Sequence, residues 1–346
     1  MVSLIKNFRH ITFLTILFCS CEVEFNPNIA TKSTPLVYGI INPADSLYSI
    51  RLTKTYNGAG NAFDFARIPD SIYFKDARVY LETRNASGKQ IESVELNETV
   101  IDDRVPGIFA TTPNRVFQTD VTKIHLRPEY FASIGQPYNV QLSVRAVIPG
   151  YADQVTAWSN LRTIPKLIQP QYLFQKVYFY TEEPFWMQWS DTNSESYFEI
   201  VVRMHYTDFL YDDQREMTAE WVLTGIVANM VSFPGGERKV YSYYFRPENF
   251  FAKIRSVIKE DSEVEARVCR KIDFIVLSSN REMEYYRSVY AISDDYHGAG
   301  YTNIHNGFGL FTTNSSVGVF GLALGQQDLD SLAKGKYTSK LKFKNY

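Results

Sequence analysis

Residues 135–147 read GQPYNVQLSVRAV. Tyr138, Val140, Leu142, Val144 and Ala146 share one parity, and Asn139, Gln141, Ser143 and Arg145 share the other. Successive side chains of a strand point to opposite faces, so this alternation describes a strand with one face in a core and the other in water. A helix does not satisfy it, because helical neighbours on one face lie three or four residues apart. A half-wet strand belongs to an antiparallel sheet, whose apolar face needs a second layer over it. The expected fold class is mainly β, built as sandwiches.

The same pattern extends in both directions. LVYGII (residues 36–41) is a short apolar run, Asn42-Pro43-Ala44-Asp45-Ser46 is turn chemistry, and Tyr48, Ile50 and Leu52 then alternate with polar residues, which predicts a hairpin. Val79 and Leu81 mark another strand, and Asn85-Ala86-Ser87-Gly88 turns the chain into a partner over residues 91–96. Thr156-Ala157-Trp158 closes this unit, expected over 35–165, and the boundary falls between Pro165 and Pro170. A second β unit is expected over 170–346. Phe198, Ile200, Val202 and Met204 alternate onto one face, as do Val264, Ala266, Val268, Ile272, Phe274 and Val276, with Arg270 breaking the parity in the manner of a β-bulge. Two helices elaborate this unit. Pro247-Glu248 opens one with a stripe of Phe250, Phe251, Ile254, Val257 and Ile258, and Ser279-x-x-Glu282 reads as a capping box before Met283, Tyr286 and Tyr290. Residues 205–239 read as an insertion. The equal use of 24 Tyr and 24 Phe favours strands over a helical bundle.

Gly135-Gln136-Pro137-Tyr138 resembles the tyrosine corner of immunoglobulin-like sandwiches. Trp189-Ser190-Asp191, a polar loop and the strand from Tyr197 resemble a fibronectin type III module. The expectation is two such domains, the second carrying the helices.

The N-terminus supplies an address. Lys6 and Arg9 precede an apolar run over residues 11–18, and eight helical residues rise only about 12 Å, too little for the roughly 30 Å bilayer core. This has the proportions of a secretory signal over residues 1–20. Phe18-Cys19-Ser20-Cys21 resembles the lipobox of bacterial lipoproteins, in which the cysteine after a small residue is acylated, here Cys21. Two or three acyl chains would hold the protein stably to a membrane, where one holds only marginally. Residues 21–34 then read as a lipidated tether. Glu22 and Glu24 resemble the acidic signal that sends Bacteroidota lipoproteins to the outer face of the outer membrane. Loss of the signal removes two positive charges and takes the net charge from −2 to −4, with no clustered basic run to suggest nucleic acid. With Cys21 acylated, Cys269 is the one remaining thiol, so an intramolecular disulfide is excluded.

NIHNGFGLF (residues 303–311), the lipobox, LVYGIINPADSLYSIRLTKTY (residues 36–56) and GYADQVTAWS (residues 150–159) together are similar to a Bacteroidota lipoprotein family known as a domain of unknown function, DUF 4249. The resemblance runs over the whole mature chain and departs from the family pattern near Asp294-Asp295-Tyr296-His297. It implies an outer-membrane lipoprotein, often encoded near a TonB-dependent receptor, with no catalytic residues to carry over.

Chemistry-bearing motifs are sparse. His297 and His305, with Asp294 and Asp295, would suit a His/Asp metal site, but their spacing matches no zinc pattern and Asn306-Gly307 is itself a hairpin signal. Asp191-x-Asn193-x-Glu195 imitates a calcium loop but has Ser196 where glycine is needed. Glu182-Glu183 and Asp212-Asp213 point to opposite faces of a strand, so neither doublet alone makes the carboxylate pair of a glycosidase. His205 has polar parity and reads as exposed. No metal or cofactor is expected. In the aromatic run from Tyr172 to Trp189, Trp189 is assigned to the core and Trp186 to contact with a glycan or peptide. Ser46, Ser71 and Ser331 each stand in an Asp-Ser-apolar triplet that resembles the O-glycosylation motif of Bacteroidota. The expected function is a non-enzymatic, surface-exposed lipoprotein that serves a TonB-dependent uptake system as accessory or ligand-capturing subunit. The alternatives are a structural or assembly factor of the outer membrane and, third, a hydrolase.

Overall fold

The computed structural model describes residues 32–56, 60–101, 107, 113–135, 139–170, 176–181, 185–192, 197–225, 229–231, 239–292 and 300–345. Strand outweighs helix, 49% against 18%, so the class is mainly β. The first half contributes β1 (Pro35–Ile41), β2 (Leu47–Lys54), β3 (Arg78–Arg84), β4 (Gln90–Glu95), β5 (Asn97–Ile101), β6 (Asn114–Asp120), β7 (Gln141–Val147) and β8 (Val155–Asn160). Then come β9 (Lys166–Gln169), β10 (Lys176–Val177), β11 (Trp186–Asp191), β12 (Tyr197–Phe209), β13 (Gln214–Gly225), β14 (Asn229–Val231), β15 (Lys239–Tyr244), β16 (Ala266–Ser279), β17 (Phe308–Leu324) and β18 (Phe343–Lys344). Three short helices, α1 (Ala62–Phe65), α2 (Pro69–Ile72) and α3 (Pro128–Ser133), lie in loops of the first half. The longer α4 (Pro247–Val257), α5 (Arg281–Ile292) and α6 (Gln326–Lys334) belong to the second.

One ten-stranded sheet runs through both halves in the order β13-β12-β16-β17-β1-β2-β6-β5, with β10 on β17 and β18 on β16. Two four-stranded sheets complete the layers, β4-β3-β7-β8 over the first half and β14-β15-β11-β9 over the second. Each half closes on its own core. Ile50, Leu52 and Val37 from the long sheet meet Leu81, Leu142 and Val144 from β3 and β7. Met187 and Trp189 from β11 meet Ile200, Val202, Phe274 and the α4 residues Phe250 and Ile254. The alternating residues of β7, β12 and β16 are buried as their parity requires, apart from Ala266, which is only half-buried where β16 begins. Tyr138 lies outside the described residues.

The two units share β17. Its residues 308–313 pair in parallel with β1, and its residues 314–322 pair antiparallel with β16. Phe311 and Ile304 therefore pack in the first core, although they follow the whole second unit in sequence. The division at 165–170 separates the chain but not the cores. The motif of residues 303–311 makes this docking possible. Asn303 donates from Nδ2 to the Phe311 carbonyl (2.6 Å) and accepts the Phe311 N–H at Oδ1 (2.9 Å), standing in for a strand neighbour. Gly309 has φ +121°, and a Cβ there would sit 2.0 Å from the Val37 carbonyl oxygen, so only glycine lets β17 approach β1.

Three expectations are corrected here. Residues 205–239 are not an insertion: β12 runs on through His205 to Phe209 and returns as β13, the edge hairpin of the long sheet, with Asp212-Asp213 in its turn. Ser279 does not cap α5; it ends β16, and the helix begins at Arg281 after Asn280, whose amide is used elsewhere. His205 is not simply exposed, because its Nε2 lies 2.9 Å from Asp273 Oδ2. The parity break at Arg270 is a register shift, since His205 pairs with Lys271 while Tyr206 pairs with Cys269.

A buried polar cluster locks the units together where β8, β11, β16 and β17 converge. Arg162 Nη2 donates to Asp191 Oδ2 (2.7 Å) and Nη1 to Asn280 Oδ1 (3.2 Å). Asn280 Nδ2 donates in turn to Ser159 Oγ, the Asn160 carbonyl and Thr313 Oγ1. Asp191 is thus an ion-pair partner, which disposes of the calcium-loop imitation.

Candidate functional site

Trp186 opens β11, and burial of Met187 and Trp189 on the core side turns Trp186 and Gln188 outward. β15 pairs antiparallel with β11, Trp186 opposite Tyr244 and Gln188 opposite Ser242. The two rings stack, with centroids 5.4 Å apart and planes 10° from parallel. Tyr244 is 58% exposed and Trp186 half-buried beneath it, so the pair is held by the sheet yet open to solvent. Gln188 Nε2 donates to Ser242 Oγ (3.2 Å), and on the other side of β11 Gln169 stands opposite Gln188. The face is a stacked aromatic pair next to a row of carboxamides and a hydroxyl, with no charge at these positions. Such a surface suits a neutral ligand with an apolar ring face and many hydroxyls.

Trp189 is fully buried, as assigned. Tyr244, Gln188 and Ser242 were missed. The signal for them was present in VYSYYF (residues 240–245), where Tyr241 and Tyr243 alternate with Ser242 and Tyr244, but the register that sets Tyr244 over Trp186 joins strands some fifty residues apart.

The other expected site residues scatter. Cys21, Glu22, Glu24, Asp294, Asp295, His297, Glu182 and Glu183 lie outside the described residues. His305 is exposed, and its backbone bridges Thr156 at the edge of β8. Among the described residues no group of three or more His, Cys, Asp or Glu is placed to hold a metal ion. Ser46 is exposed in the turn between β1 and β2, the most accessible of the three glycosylation candidates. Ser71 is half-buried in α2, and Ser331 donates its hydroxyl to the Gln327 carbonyl within α6 (2.9 Å).

Among the described residues, His205 is the one histidine with partners on both ring nitrogens, Asp273 on Nε2 and Thr218 Oγ1 at 3.3 Å from Nδ1. Gly321 N–H holds the other Asp273 oxygen at 2.8 Å. The order hydroxyl, imidazole, carboxylate lies across three neighbouring strands on an open sheet face, where it ties β13, β12 and β16 together.

No helix among the described residues is long and apolar enough to cross a membrane. The chain matches none of the protein-family models it was compared with, and no curated protein matches it.

Proposed function

We propose that this chain is a non-enzymatic, lipid-anchored binding protein of the outer membrane. It is held through Cys21, carried to the cell exterior by Glu22 and Glu24, and captures a neutral glycan for a TonB-dependent uptake system. The observation that carries the binding reading is the Trp186–Tyr244 stack bordered by Gln188 and Ser242. A pyranose presents C–H bonds on one face and hydroxyls at its rim, matching rings flanked by amides. The address rests on the lipobox-like Phe18-Cys19-Ser20-Cys21, and the uptake role on the resemblance to a Bacteroidota lipoprotein family. The reading treats the two units as immunoglobulin-like and fibronectin III-like modules, with Ser46 as the glycan acceptor.

The test is titration of the detergent-solubilised protein with neutral gluco- and xylo-oligosaccharides, following tryptophan fluorescence. Saturable binding that Trp186→Ala removes, with the melting temperature unchanged, is expected; no binding across the panel sinks the glycan reading. Replacing Cys21 by serine should release the protein from membranes, and protease added to intact cells should degrade the wild type. Protection from protease would refute the outward orientation.

A further inference from the structure

A second outward face, on the sheet of the first unit, has a different chemistry. Tyr80, Glu82 and Arg84 of β3 point away from the core, as do Ser143 and Arg145 of β7 and Thr156 and Trp158 of β8. Three arginines here share two carboxylates. Arg78 binds Glu95 through two nitrogens, and Glu82 accepts from Arg84 Nη2 (2.7 Å) and Arg145 Nε (2.8 Å). One positive charge is left over on this face, shared by Arg84 and Arg145, each of which holds one oxygen of Glu82. The Arg145 guanidinium lies 4.0 Å over the Tyr80 ring, so it is gripped from below by the ring and at Nε by Glu82. Its Nη1 and Nη2 have no partner among the described residues.

The neighbours of that open edge follow from register. Arg145 stands opposite Thr156, and Thr156 opposite His305, so the three lie in one row on one face. Trp158, opposite Ser143, is diagonal to Arg145, a separation of about 7–8 Å that long side chains span. Its ring is 55% exposed and His305 is exposed as well. Residues 145, 156, 158 and 305 thus reach one face, the first three through the pairing of β7 with β8 and the last through its bridge to Thr156.

We infer that Arg145, Thr156, Trp158 and His305 form a separate site for a sugar bearing a carboxylate, such as a uronic acid. The sugar ring lies on the Trp158 indole, and the carboxylate takes the two open nitrogens of Arg145 as a fork-to-fork pair. Thr156 and His305 supply hydrogen bonds at the ring's edge. Charge complementarity singles out the acid: a neutral sugar leaves the guanidinium edge with nothing better than the water it gives up, while a carboxylate matches both its charge and its planar geometry. Because Tyr80 and Glu82 already hold Arg145, little side-chain freedom is lost on binding.

The experiment titrates the full lipoprotein in mild detergent with tetragalacturonate and with the same tetramer fully methyl-esterified, at physiological salt, by calorimetry. The acid should bind at least about tenfold more tightly than the ester. Arg145→Lys keeps the charge but loses the fork, and should weaken acid binding by about tenfold. Trp158→Ala, at an exposed ring that leaves the fold untouched, should weaken it too and decides the matter if the arginine variant fails to fold. Trp186→Ala should leave acid binding intact, which separates this site from the neutral-glycan face. Equal affinity for acid and ester, no binding of the acid, an unaffected Trp158→Ala protein, or loss of acid binding in Trp186→Ala would each overturn the inference.

Discussion

Replacing Asp191 by alanine strips the carboxylate from a guanidinium that has no route to water. Arg162 is 1% exposed and Asp191 2%. Burial alone pushes the Arg162 guanidinium towards losing its proton, and the Asp191 charge opposes this. Deleting one partner of such a pair costs about 3–5 kcal/mol, because the surviving charge stays buried and uncompensated. The lower part of that range, about 3 kcal/mol, is expected here, since Arg162 keeps Asn280 Oδ1 and Ser278 Oγ as acceptors and the Glu282 charge also favours the guanidinium. With a urea slope of about 3 kcal/mol per M, the unfolding midpoint falls by roughly 1 M. Fluorescence of Trp189, fully buried two residues away on β11, reports the transition. The double change Arg162→Met with Asp191→Leu removes both charges and should cost far less than Asp191→Ala alone. A loss below about 1 kcal/mol for Asp191→Ala would mean that water or another anion reaches Arg162, and the buried ion pair would not be what locks the two units.

Asn303→Ala should leave the Phe311 N–H and C=O unpaired in the first core, at about 1–3 kcal/mol each, and speed amide exchange at Phe311; unchanged exchange would refute the clasp. Gly309→Ala and Gly321→Ala both place a side chain at positive φ, but only the first drives a Cβ into backbone, since the second meets the flexible Lys271 side chain at 3.8 Å. Gly309→Ala should therefore melt well below Gly321→Ala, and equal melting temperatures would deny the close approach of β17 to β1. Burial in α6 raises the Asp328 carboxyl from 3.8 to about 6, so the folded state holds that proton more tightly than the unfolded chain. Its contribution is favourable below the unfolded value and declines as pH rises through the window up to about 6. Asp328→Asn should flatten the fall in melting temperature across that window, and an unchanged slope would contradict the assignment. Glu82 works in the opposite sense. Burial pushes its carboxyl up, but the hydrogen bonds and charges of Arg84 and Arg145 outweigh that and hold it below the usual carboxylate range. Its support is full at neutral pH and is lost as acid protonates it, so Glu82→Gln should make melting of the first unit less acid-sensitive.

Much of the fold was legible because strands advertise themselves locally. The parity of Val140, Leu142, Val144 and Ala146, of Phe198 to Met204, and the break at Arg270 each needed only neighbouring residues. The helix from Pro247 was equally plain, since its stripe of Phe250, Phe251 and Ile254 is buried at helical spacing. Reading residues 205–239 as an insertion failed because polar residues such as His205 and Asp208 sit inside a strand, paired across the sheet with Asp273 and Arg267. Arg162 gave no signal at all, because nothing around it in NLRTIP foretells a carboxylate at position 191.

By itself, then, the sequence determined the class, the facing of most strands and the chemistry of single residues such as Trp186, all of which depend on side-chain alternation over a few positions. The tertiary structure alone decided that β17 unites two sandwich-like units, that Tyr244 stacks on Trp186, and that Arg145 stands in one row with Thr156 and His305. Parity says which way a side chain points but not which strand lies beside it. That choice is made by long-range pairing, in which Asn303, Gly309 and the Arg162–Asp191 pair select one register among many that share the same local pattern.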